Sequence, residues 1–265
     1  MSQIIAVANQ KGGVGKTTTT INLATLLHKN EKRTLLVDLD PQGNATTGSG
    51  IDKRSVNVGS YDVLTSNKDV QGARVQSPTA GYDLLSANQH LAGAEIELVP
   101  LEKRELKLRD ALELVAAEYD YVLIDCPPAL SLLTINGLSA AHAVVIPMQC
   151  EYYALEGLSD LVSTIKRIKV NLNPSLEIGG LIRTMFDGRN SLSQQVSDQL
   201  LEHFHDKVFG TVIPRNVRVA EAPSHGLPIT IYDSASKGAK AYKALSEEFL
   251  IRFDVKQRMT IHGQN

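Results

Sequence analysis

The segment with the clearest chemistry is a glycine-rich run near the start of the chain, which reads Lys-Gly-Gly-Val-Gly-Lys-Thr-Thr. It follows an apolar run and precedes a helical pattern, so backbone N–H groups and a helix N-terminus converge on one point, a geometry that binds phosphate. Lys16 can reach the β- and γ-phosphates of a nucleotide, and the Thr17 hydroxyl is placed to bind Mg²⁺. A plain glycine turn would not need this lysine and threonine at a helix start. The predicted nucleotide-binding residues are Lys11, Gly12, Gly13, Val14, Gly15, Lys16, Thr17 and Thr18.

Three aspartates stand at the ends of two further apolar runs. Asp38 and Asp40 are two residues apart, so their side chains point the same way at a strand end. Asp125 ends the run at residues 121–124 in the form of a Walker B strand, and it is expected to reach Mg²⁺ through a water or through Thr17. Taken alone, Asp38 and Asp40 would also fit a polar strand terminus and turn, and Asp125 could be an incidental aspartate after a strand. Beside the phosphate segment, a magnesium site is favoured.

A sheet must bring these residues together, and the apolar runs indicate its type. Continuous rather than alternating hydrophobicity is typical of strands covered on both faces, hence of a parallel sheet. Between the runs, Leu23, Leu26 and Leu27 share one helical face. The pattern predicts an α/β fold with a doubly wound, mostly parallel sheet flanked by helices, whose ligands bind at the carboxyl ends of the strands. Residues 41 to 60, rich in Gly, Asn, Thr and Ser, are expected to form a mobile loop. The apolar runs lie at residues 4–8, 34–37, 121–124, 143–146 and 178–182.

Composition limits the remaining possibilities. A chain of 265 residues with 43% hydrophobic content can form a single domain over residues 1–265, with a frayed tail from about 255 to 265. A net charge of −2 excludes a chain-wide basic field, so a nucleic-acid surface would have to be local. Cys126 and Cys150 lack disulfide or metal spacing, which suits a reducing cytosol. The first apolar run ends at Asn9, too soon for a signal peptide or membrane span, so a cytoplasmic location is expected.

The glycine-rich segment departs from the general P-loop pattern, because Gln10 stands where the first glycine belongs and Lys11 follows it. In this the sequence resembles the deviant Walker A family of P-loop ATPases, whose loop carries an additional lysine at the position of Lys11. The resemblance implies Mg²⁺-dependent hydrolysis of ATP to ADP by a homodimer in which this lysine crosses to the partner subunit's phosphates. A cation entering in trans would act as an arginine finger does, an effect of about 10³ to 10⁵ in rate. The alternative is a solvated loop charge.

The same resemblance assigns roles to the aspartates. The segment around Asp38 and Asp40 looks like the family's switch I, in which Asp40 orients or activates the attacking water and Asp38 lies nearer the Mg²⁺ shell. The prolines after Asp125 match its switch II. The resemblance therefore implies catalytic residues Lys11, Lys16 and Asp40, and metal ligands Thr17, Asp38 and Asp125.

Three later segments resemble the partition ATPases ParA and Soj within this family. They are residues 184–189, 212–218 and 221–226, and the match runs along nearly the whole chain. In these relatives the segment that holds Pro214 and Asn216 lies against the adenine and ribose, although an ordinary proline turn would look the same. The resemblance implies that the ATP dimer binds double-stranded DNA without sequence preference, is associated with the nucleoid, and is released by slow hydrolysis that a ParB-type partner stimulates.

Nonspecific DNA binding requires clustered lysines and arginines that face phosphates. Between residues 207 and 243 six basic residues accompany two acidic ones, a local charge of +4. Arg189 and Arg218 fall at DNA-contact positions of the family by resemblance, whereas a solvated helix face is the alternative for the lysines. The chain starts nine residues before Gln10, so it is expected to lack a helix-turn-helix extension and not to act alone as a sequence-specific repressor. The predicted DNA-contact residues are Arg189, Arg215, Arg218, Lys237 and Lys240.

Two other functions are compatible with the same loop. A membrane-recruited cell-division regulator like MinD would need a C-terminal amphipathic helix. An apolar face is present there, but acidic residues accompany it, so core packing is predicted and no membrane partner is expected; the face consists of Leu245, Phe249, Leu250 and Phe253. A metabolic enzyme, such as a ligase resembling dethiobiotin synthetase or a reductase like the nitrogenase iron protein, is the second rival. Cys126 and Cys150 do not match the reductase pattern, and no second small-molecule site is evident.

Overall fold

The computed structural model describes residues 2–254, so the predicted frayed tail lies outside the described residues. The strands are β1 (Gln3–Val7), β2 (Thr34–Asp38), β3 (Val75–Gln76), β4 (Asp83–Leu85), β5 (Tyr121–Asp125), β6 (Ala143–Gln149), β7 (Glu177–Phe186) and β8 (Val208–Pro214). The helices are α1 (Lys16–Lys29), α2 (Asn44–Gly48), α3 (Ser60–Thr65), α4 (Val70–Ala73), α5 (Leu91–Glu97), α6 (Lys107–Glu113), α7 (Leu132–Ala140), α8 (Ala154–Asn171), α9 (Ser191–Phe204), α10 (Val217–Glu221), α11 (Ile229–Tyr232) and α12 (Lys237–Phe253). Short 3₁₀ turns lie at Lys53–Ser55, Ala116–Glu118, His205–Lys207 and Ala222–His225.

The strands form one sheet in the order β3-β4-β2-β5-β1-β6-β7-β8. Neighbouring strands are parallel except at the edge, where β3 pairs with β4 in the antiparallel sense. Each of the five apolar runs found in the sequence is part of a strand, namely β1, β2, β5, β6 and β7. The predicted doubly wound, mostly parallel sheet is therefore confirmed.

Helices cover both faces of the sheet, which is why its strands are continuously apolar. Ile4 and Ala6 of β1 belong to one core cluster, whereas Ile5 belongs to the cluster on the opposite face. Leu23 and Leu27 of α1 are fully buried in the second cluster, as their helical spacing predicts. Side chains alternate along a strand, so a strand buried on both sides must be apolar at every position.

The C-terminal helix α12 packs its apolar face into the core. Leu245, Phe249 and Phe253 are buried, and the ring of Phe249 lies 5.9 Å from that of Tyr121 in β5. Leu250 is half-buried and packs against the same cluster, so the apolar face of α12 is used in the protein's own core. No helix within residues 2–254 combines the length and apolar character that crossing a membrane requires.

The segment from 41 to 60 contains more structure than its composition predicts. It includes α2, and the side chain of Thr46 is fully buried. The Thr46 hydroxyl donates to Asp38 Oδ2 at 2.8 Å and accepts from the backbone N–H of Ala87 at 2.8 Å. The expectation of a simple mobile loop was wrong, because these contacts tie α2 to the end of β2 and to the residues after β4.

Candidate functional site

The site lies where three neighbouring strands end. β5 runs between β1 and β2, and Asp125 at its end is in register with Val7 on one side and Asp38 on the other. The glycine-rich segment begins shortly after Val7. Parallel pairing therefore brings the predicted phosphate loop and all three predicted aspartates to one edge of the sheet.

The glycine-rich segment forms a turn that leads directly into α1. Gly13 and Gly15 adopt left-handed φ angles of 73° and 88°, which residues with a β-carbon rarely adopt. Gly15 immediately precedes the first residue of α1. The hydroxyl of Thr184 in β7, two strands away from β1 in the sheet, donates to the carbonyl of Val14 at 2.7 Å and holds the turn in place. The result is the loop and helix N-terminus that bind phosphate groups.

Lys16 is held inside this loop. Its side chain is largely enclosed, with 6% of the residue exposed, and Nζ donates to the carbonyl oxygen of Lys11 at 3.1 Å. Burial lowers the pKa of Lys16, and the nearby carboxylates of Asp125 and Asp40 oppose that shift. The enclosed ammonium is thus placed to bind phosphate oxygens at the floor of the site.

Asp125 and α1 together form a cluster of oxygen ligands. Asp125 is fully buried; its Oδ2 accepts from the Thr17 hydroxyl at 2.7 Å and its Oδ1 from the Thr20 hydroxyl at 3.2 Å. Burial and then the charge of Asp38 raise the pKa of Asp125. A divalent cation held here would offset that repulsion, and carboxylate and hydroxyl oxygens are ligands that suit Mg²⁺. The residues present therefore fit a magnesium ion.

Asp38 and Asp40 are brought together in different environments. Asp38 is fully buried, with Oδ1 accepting from the N–H of Asp40 at 3.1 Å and Oδ2 accepting from both the N–H and the hydroxyl of Thr46 at 2.8 Å. These bonds hold the backbone on which Asp40 stands. Asp40 itself lines the open cavity, and its Oδ1 accepts from the N–H of Gln42 at 2.9 Å. Asp40 is thus the carboxylate that faces the space for a substrate.

A cavity of about 650 Å³ opens above the phosphate loop. Asn216, predicted for the base side, lines it, but Pro214 does not; the prolines at the cavity wall are Pro128 and Pro223. Pro214 is the last residue of β8 and is paired with Phe186, so the sheet holds it away; the chain reaches the cavity from Arg215 onward. The lining residues are Gly12, Gly13, Gly15, Lys16, Thr17, Thr18, Asp40, Gln42, Asn44, Pro128, Met185, Arg215, Asn216, Val217, Val219, Ala220 and Pro223.

Lys11 is placed differently from Lys16, although both belong to the same loop. Its side chain is 45% exposed, forms an ion pair with Glu151, and is not among the groups that line the cavity. Its backbone N–H donates to Asn9 Oδ1 at 2.9 Å. In the single subunit, therefore, Lys11 stands at the rim of the site and is held by a carboxylate of the same chain.

The predicted DNA-contact residues are all exposed, and one of them, Arg215, also lines the cavity. β7 and β8 are parallel neighbours with Phe186 opposite Pro214, so Arg189 and Arg215 follow adjacent strand ends. A β-carbon on Gly238 would lie 2.2 Å from the Val219 side chain, so α10 packs closely on the first turn of α12. This packing places the helix that carries Arg218 beside the start of the helix that carries Lys237 and Lys240.

Several residues at the site were not found from the sequence, and four of them show why. Thr20 follows Thr17 by three positions, so helical spacing could have placed both beside Asp125. Thr184 lies 170 residues from Val14, and no local pattern indicates their contact. Met185 lines the cavity with a left-handed φ of 49°, and Pro223 enters it only because α10 turns back over the loop.

Comparisons with known proteins agree with this geometry. A family model described as an AAA domain matches residues 2–178. The chain is 54% identical over 248 residues to the sporulation initiation inhibitor protein Soj of Bacillus subtilis, with 94% of this chain and 98% of the relative covered. It is 51% identical over 252 residues to the chromosome partitioning protein ParA of Caulobacter vibrioides, with 94% of each covered.

The fold also matches a solved structure that contains a nucleotide. Cobyrinic acid a,c-diamide synthase from Mycobacterium smegmatis, with bound ADP and magnesium, superposes with a TM-score of 0.84 and 37% identity, covering 97% of both chains. The predictions of a P-loop fold, of an ATPase, and of a nucleotide with magnesium as its ligands are confirmed by these similarities. The chain belongs to the ParA and Soj family of chromosome-partitioning ATPases.

Proposed function

We propose that this chain is a nucleotide-dependent switch for DNA partition, acting as a single domain. It binds ATP and Mg²⁺, pairs with a second copy as a sandwich dimer, and binds double-stranded DNA without sequence preference. Slow hydrolysis, stimulated by a ParB-type partner, releases it. The observation that carries the proposal is the contrast within one loop: Lys16 is enclosed in its own cavity, whereas Lys11 stands half exposed at the rim. Such a loop can hold one nucleotide and also reach another.

The chain's own groups have distinct roles toward ATP. The loop N–H groups and Lys16 bind the β- and γ-phosphates, while Thr17 and Asp125 hold Mg²⁺. When bound, the ion neutralises charge that develops on the phosphate oxygens. Asp40 orients the attacking water from the cavity wall. Asp38 lies beside the magnesium position and keeps Asp40 in place through its bond to the Asp40 N–H. Asn216, which lines the cavity, contacts the base side, and Pro223 of the same wall is a further candidate for that contact.

Dimer formation requires Lys11 to exchange partners. In the single subunit its ammonium is held by Glu151, and both side chains are about half exposed. An exposed ion pair contributes only about 0–1 kcal/mol, so a second subunit's phosphates can replace the carboxylate at little cost. ATP bound in one subunit therefore favours dimerisation, because its phosphates carry more negative charge than the Glu151 carboxylate and attract Lys11 of the other subunit more strongly.

The DNA-binding surface is formed by Arg189, Arg215, Arg218, Lys237 and Lys240. All are exposed beside the edge of the sheet that carries the nucleotide site, so dimerisation across that site doubles the local positive charge. Affinity for DNA depends steeply on the number of phosphates neutralised, and doubling the face therefore raises affinity far more than twofold. Binding is then tied to the ATP dimer, and the protein is concentrated on the nucleoid within the cytoplasm.

A membrane-recruited regulator is less well supported. The apolar residues of α12 that such a function would use are buried against the sheet. A small-molecule synthase is the second candidate, because the solved structure of similar fold is such an enzyme. The higher identity to Soj and ParA, 54% and 51%, favours partition. ATP-dependent binding to anionic vesicles but not to DNA would support the membrane function instead.

The proposed function is tested by DNA binding with ATP, with ADP and without nucleotide, across a salt series. We expect binding only with ATP, equal affinity for unrelated sequences, and a steep loss of affinity as salt rises. Arg189→Glu is expected to abolish DNA binding, because it replaces a cation by an anion at the phosphate contact, while ATP-dependent dimerisation persists in light scattering. Sequence-selective or ATP-independent binding by the unmodified chain would contradict the proposal.

Lys16→Ala is expected to weaken ATP binding by about 30-fold or more, since loss of a buried charge-assisted contact costs roughly 2–5 kcal/mol. Titration with a fluorescent ATP analogue measures the affinity directly. Lys29→Ala, at the exposed far end of the same helix, is the matched control and should bind normally. Equal affinity of the Lys16 variant and this control would show that the enclosed ammonium does not contact the phosphates.

A further inference from the structure

The guanidinium of Arg189 is already occupied by a carboxylate of the same turn. Its Nε and Nη2 donate to the two oxygens of Asp187 at 3.0 and 2.9 Å, and its backbone N–H donates to Oδ1 at 3.0 Å. These hydrogen bonds lower the pKa of Asp187 to about 2, as expected for a carboxylate that a guanidinium binds. Paired N–H donation from a guanidinium fork is also how arginine binds phosphate. Asp187 thus occupies the place that a DNA phosphate would take.

The turn keeps this pair in position. The backbone N–H of Asn190 donates to the carbonyl of Asp187 at 3.0 Å, and the Asn190 side chain accepts from Leu192 and Ser193 at the start of α9. Arg189 is 92% exposed, whereas Asp187 is 40% exposed. A DNA strand that approaches from solvent therefore reaches the guanidinium first, with the carboxylate fixed close behind it.

The predicted DNA-contact residues differ in how far they are neutralised. Arg218 is also paired, but through single contacts to two carboxylates, Glu221 at 3.0 Å and Asp233 at 3.7 Å. Within residues 2–254, Arg215, Lys237 and Lys240 make no ion pair shorter than 4.0 Å. The single subunit therefore presents fewer uncompensated charges than its arginines and lysines suggest.

We infer that Asp187 is an intramolecular competitor of DNA phosphate for Arg189, and that it keeps the DNA affinity of one subunit low. The inference rests on the proposed DNA-binding function. A surface with every cation free would bind DNA through counterion release in any nucleotide state. With Arg189 held by Asp187, each subunit must displace a carboxylate to gain one phosphate contact. The affinity of each subunit is then lower by up to about fivefold, so DNA binding depends more strongly on two subunits acting together.

The test uses the full chain with Asp187→Asn, in DNA binding with ATP, ADP and no nucleotide across a salt series. We expect about two- to fivefold tighter binding, the range that an exposed ion pair allows, and a salt slope steeper by about one charge per subunit. Weak binding should also become measurable with ADP. Asp187→Glu, which keeps a carboxylate, should stay close to the unmodified protein. Thermal unfolding checks that each variant folds.

Removal of any negative charge near DNA raises affinity somewhat, so matched variants are needed. Asp198→Asn removes an exposed carboxylate from α9, the helix that follows the turn. In the unmodified chain, Asp187→Asn must raise the DNA affinity more than Asp198→Asn does. In a chain that also carries Arg189→Ala, the two substitutions must raise the affinity equally. Equal effects of Asp187→Asn and Asp198→Asn, or weaker binding by Asp187→Asn, would overturn the inference alone. Unchanged DNA binding by Arg189→Glu would overturn the proposed DNA surface as well.

Discussion

Replacing Asp40 with alanine is expected to slow ATP hydrolysis by about 10²- to 10⁴-fold, the range for loss of a positioned acid–base group. Asp40 is the aspartate that lines the cavity, whereas both oxygens of Asp38 already accept hydrogen bonds from the chain. Nucleotide binding should change little, because the phosphate contacts come from the loop and Lys16. The ATP-bound dimer should therefore accumulate and remain on DNA. Phosphate release and the lifetime of the DNA complex measure the two effects.

Two variants separate the chemistry of Asp40 from general damage. Asp40→Asn keeps the shape and the bond from Gln42 but cannot accept a proton as a carboxylate can, so it should be nearly as slow as alanine. Asp52→Ala removes an exposed carboxylate that, within residues 2–254, forms its ion pair with Arg54, and it should hydrolyse normally. Normal turnover by Asp40→Ala would show that another group positions the water.

Sequence patterns predicted the parts of the site in which chemistry and local structure coincide. The phosphate loop requires glycine where the backbone is left-handed, as at Gly13 and Gly15, and a lysine at the helix start. Asp125 ends a strand that is apolar because it is buried on both faces. Each of these constraints acts over a few residues, so composition and spacing reveal it. The central strands of the sheet were predictable for the same reason.

The features that were missed depend on contacts between distant segments. α2 forms in a segment rich in glycine, asparagine and threonine because Thr46 bonds to Asp38 and Ala87. Thr184 holds the phosphate loop through a hydrogen bond to Val14, a residue 170 positions away in the sequence. Pro223 rather than Pro214 lines the cavity, together with residues of α10. The short edge strands β3 and β4 are held by pairing at the margin of the sheet. A pattern that spans only a few neighbouring residues does not indicate contacts between segments so far apart in the sequence.

Lys11 and Lys16 belong to the same loop, but their side chains lie in different places, which the sequence alone does not show. Sequence alone marks Lys11 as unusual, and resemblance implies that it acts on a second subunit. The structure adds that Lys11 is outside its own cavity and is held by Glu151, so its charge is not already used on the nucleotide of its own subunit. Lys16 has the opposite placement. Their replacement should therefore separate binding of ATP from hydrolysis.

Lys11→Ala is expected to abolish dimerisation and to slow hydrolysis by about 10³-fold or more, as for removal of a cation supplied in trans. The affinity of a single subunit for ATP should stay within a few fold of normal. Lys11→Arg should retain part of the activity because the charge remains. Glu151→Gln, which frees the lysine from its partner in the single subunit, should dimerise at lower ATP concentration. Light scattering and phosphate release measure these outcomes, and tight dimerisation by Lys11→Ala would contradict the proposed role.

Mixing two inactive variants decides whether Lys11 acts in trans. A Lys11→Ala subunit keeps Asp40 but lacks the crossing lysine, and an Asp40→Ala subunit keeps the lysine but lacks the group that orients water. If the lysine crosses the interface, a mixed dimer contains one complete site, formed by Asp40 of the first subunit and Lys11 of the second. Combining nucleotide-free subunits before adding ATP should then restore hydrolysis that neither variant shows alone. If Lys11 served only its own subunit, no site in the mixture would be complete and the mixture would stay inactive.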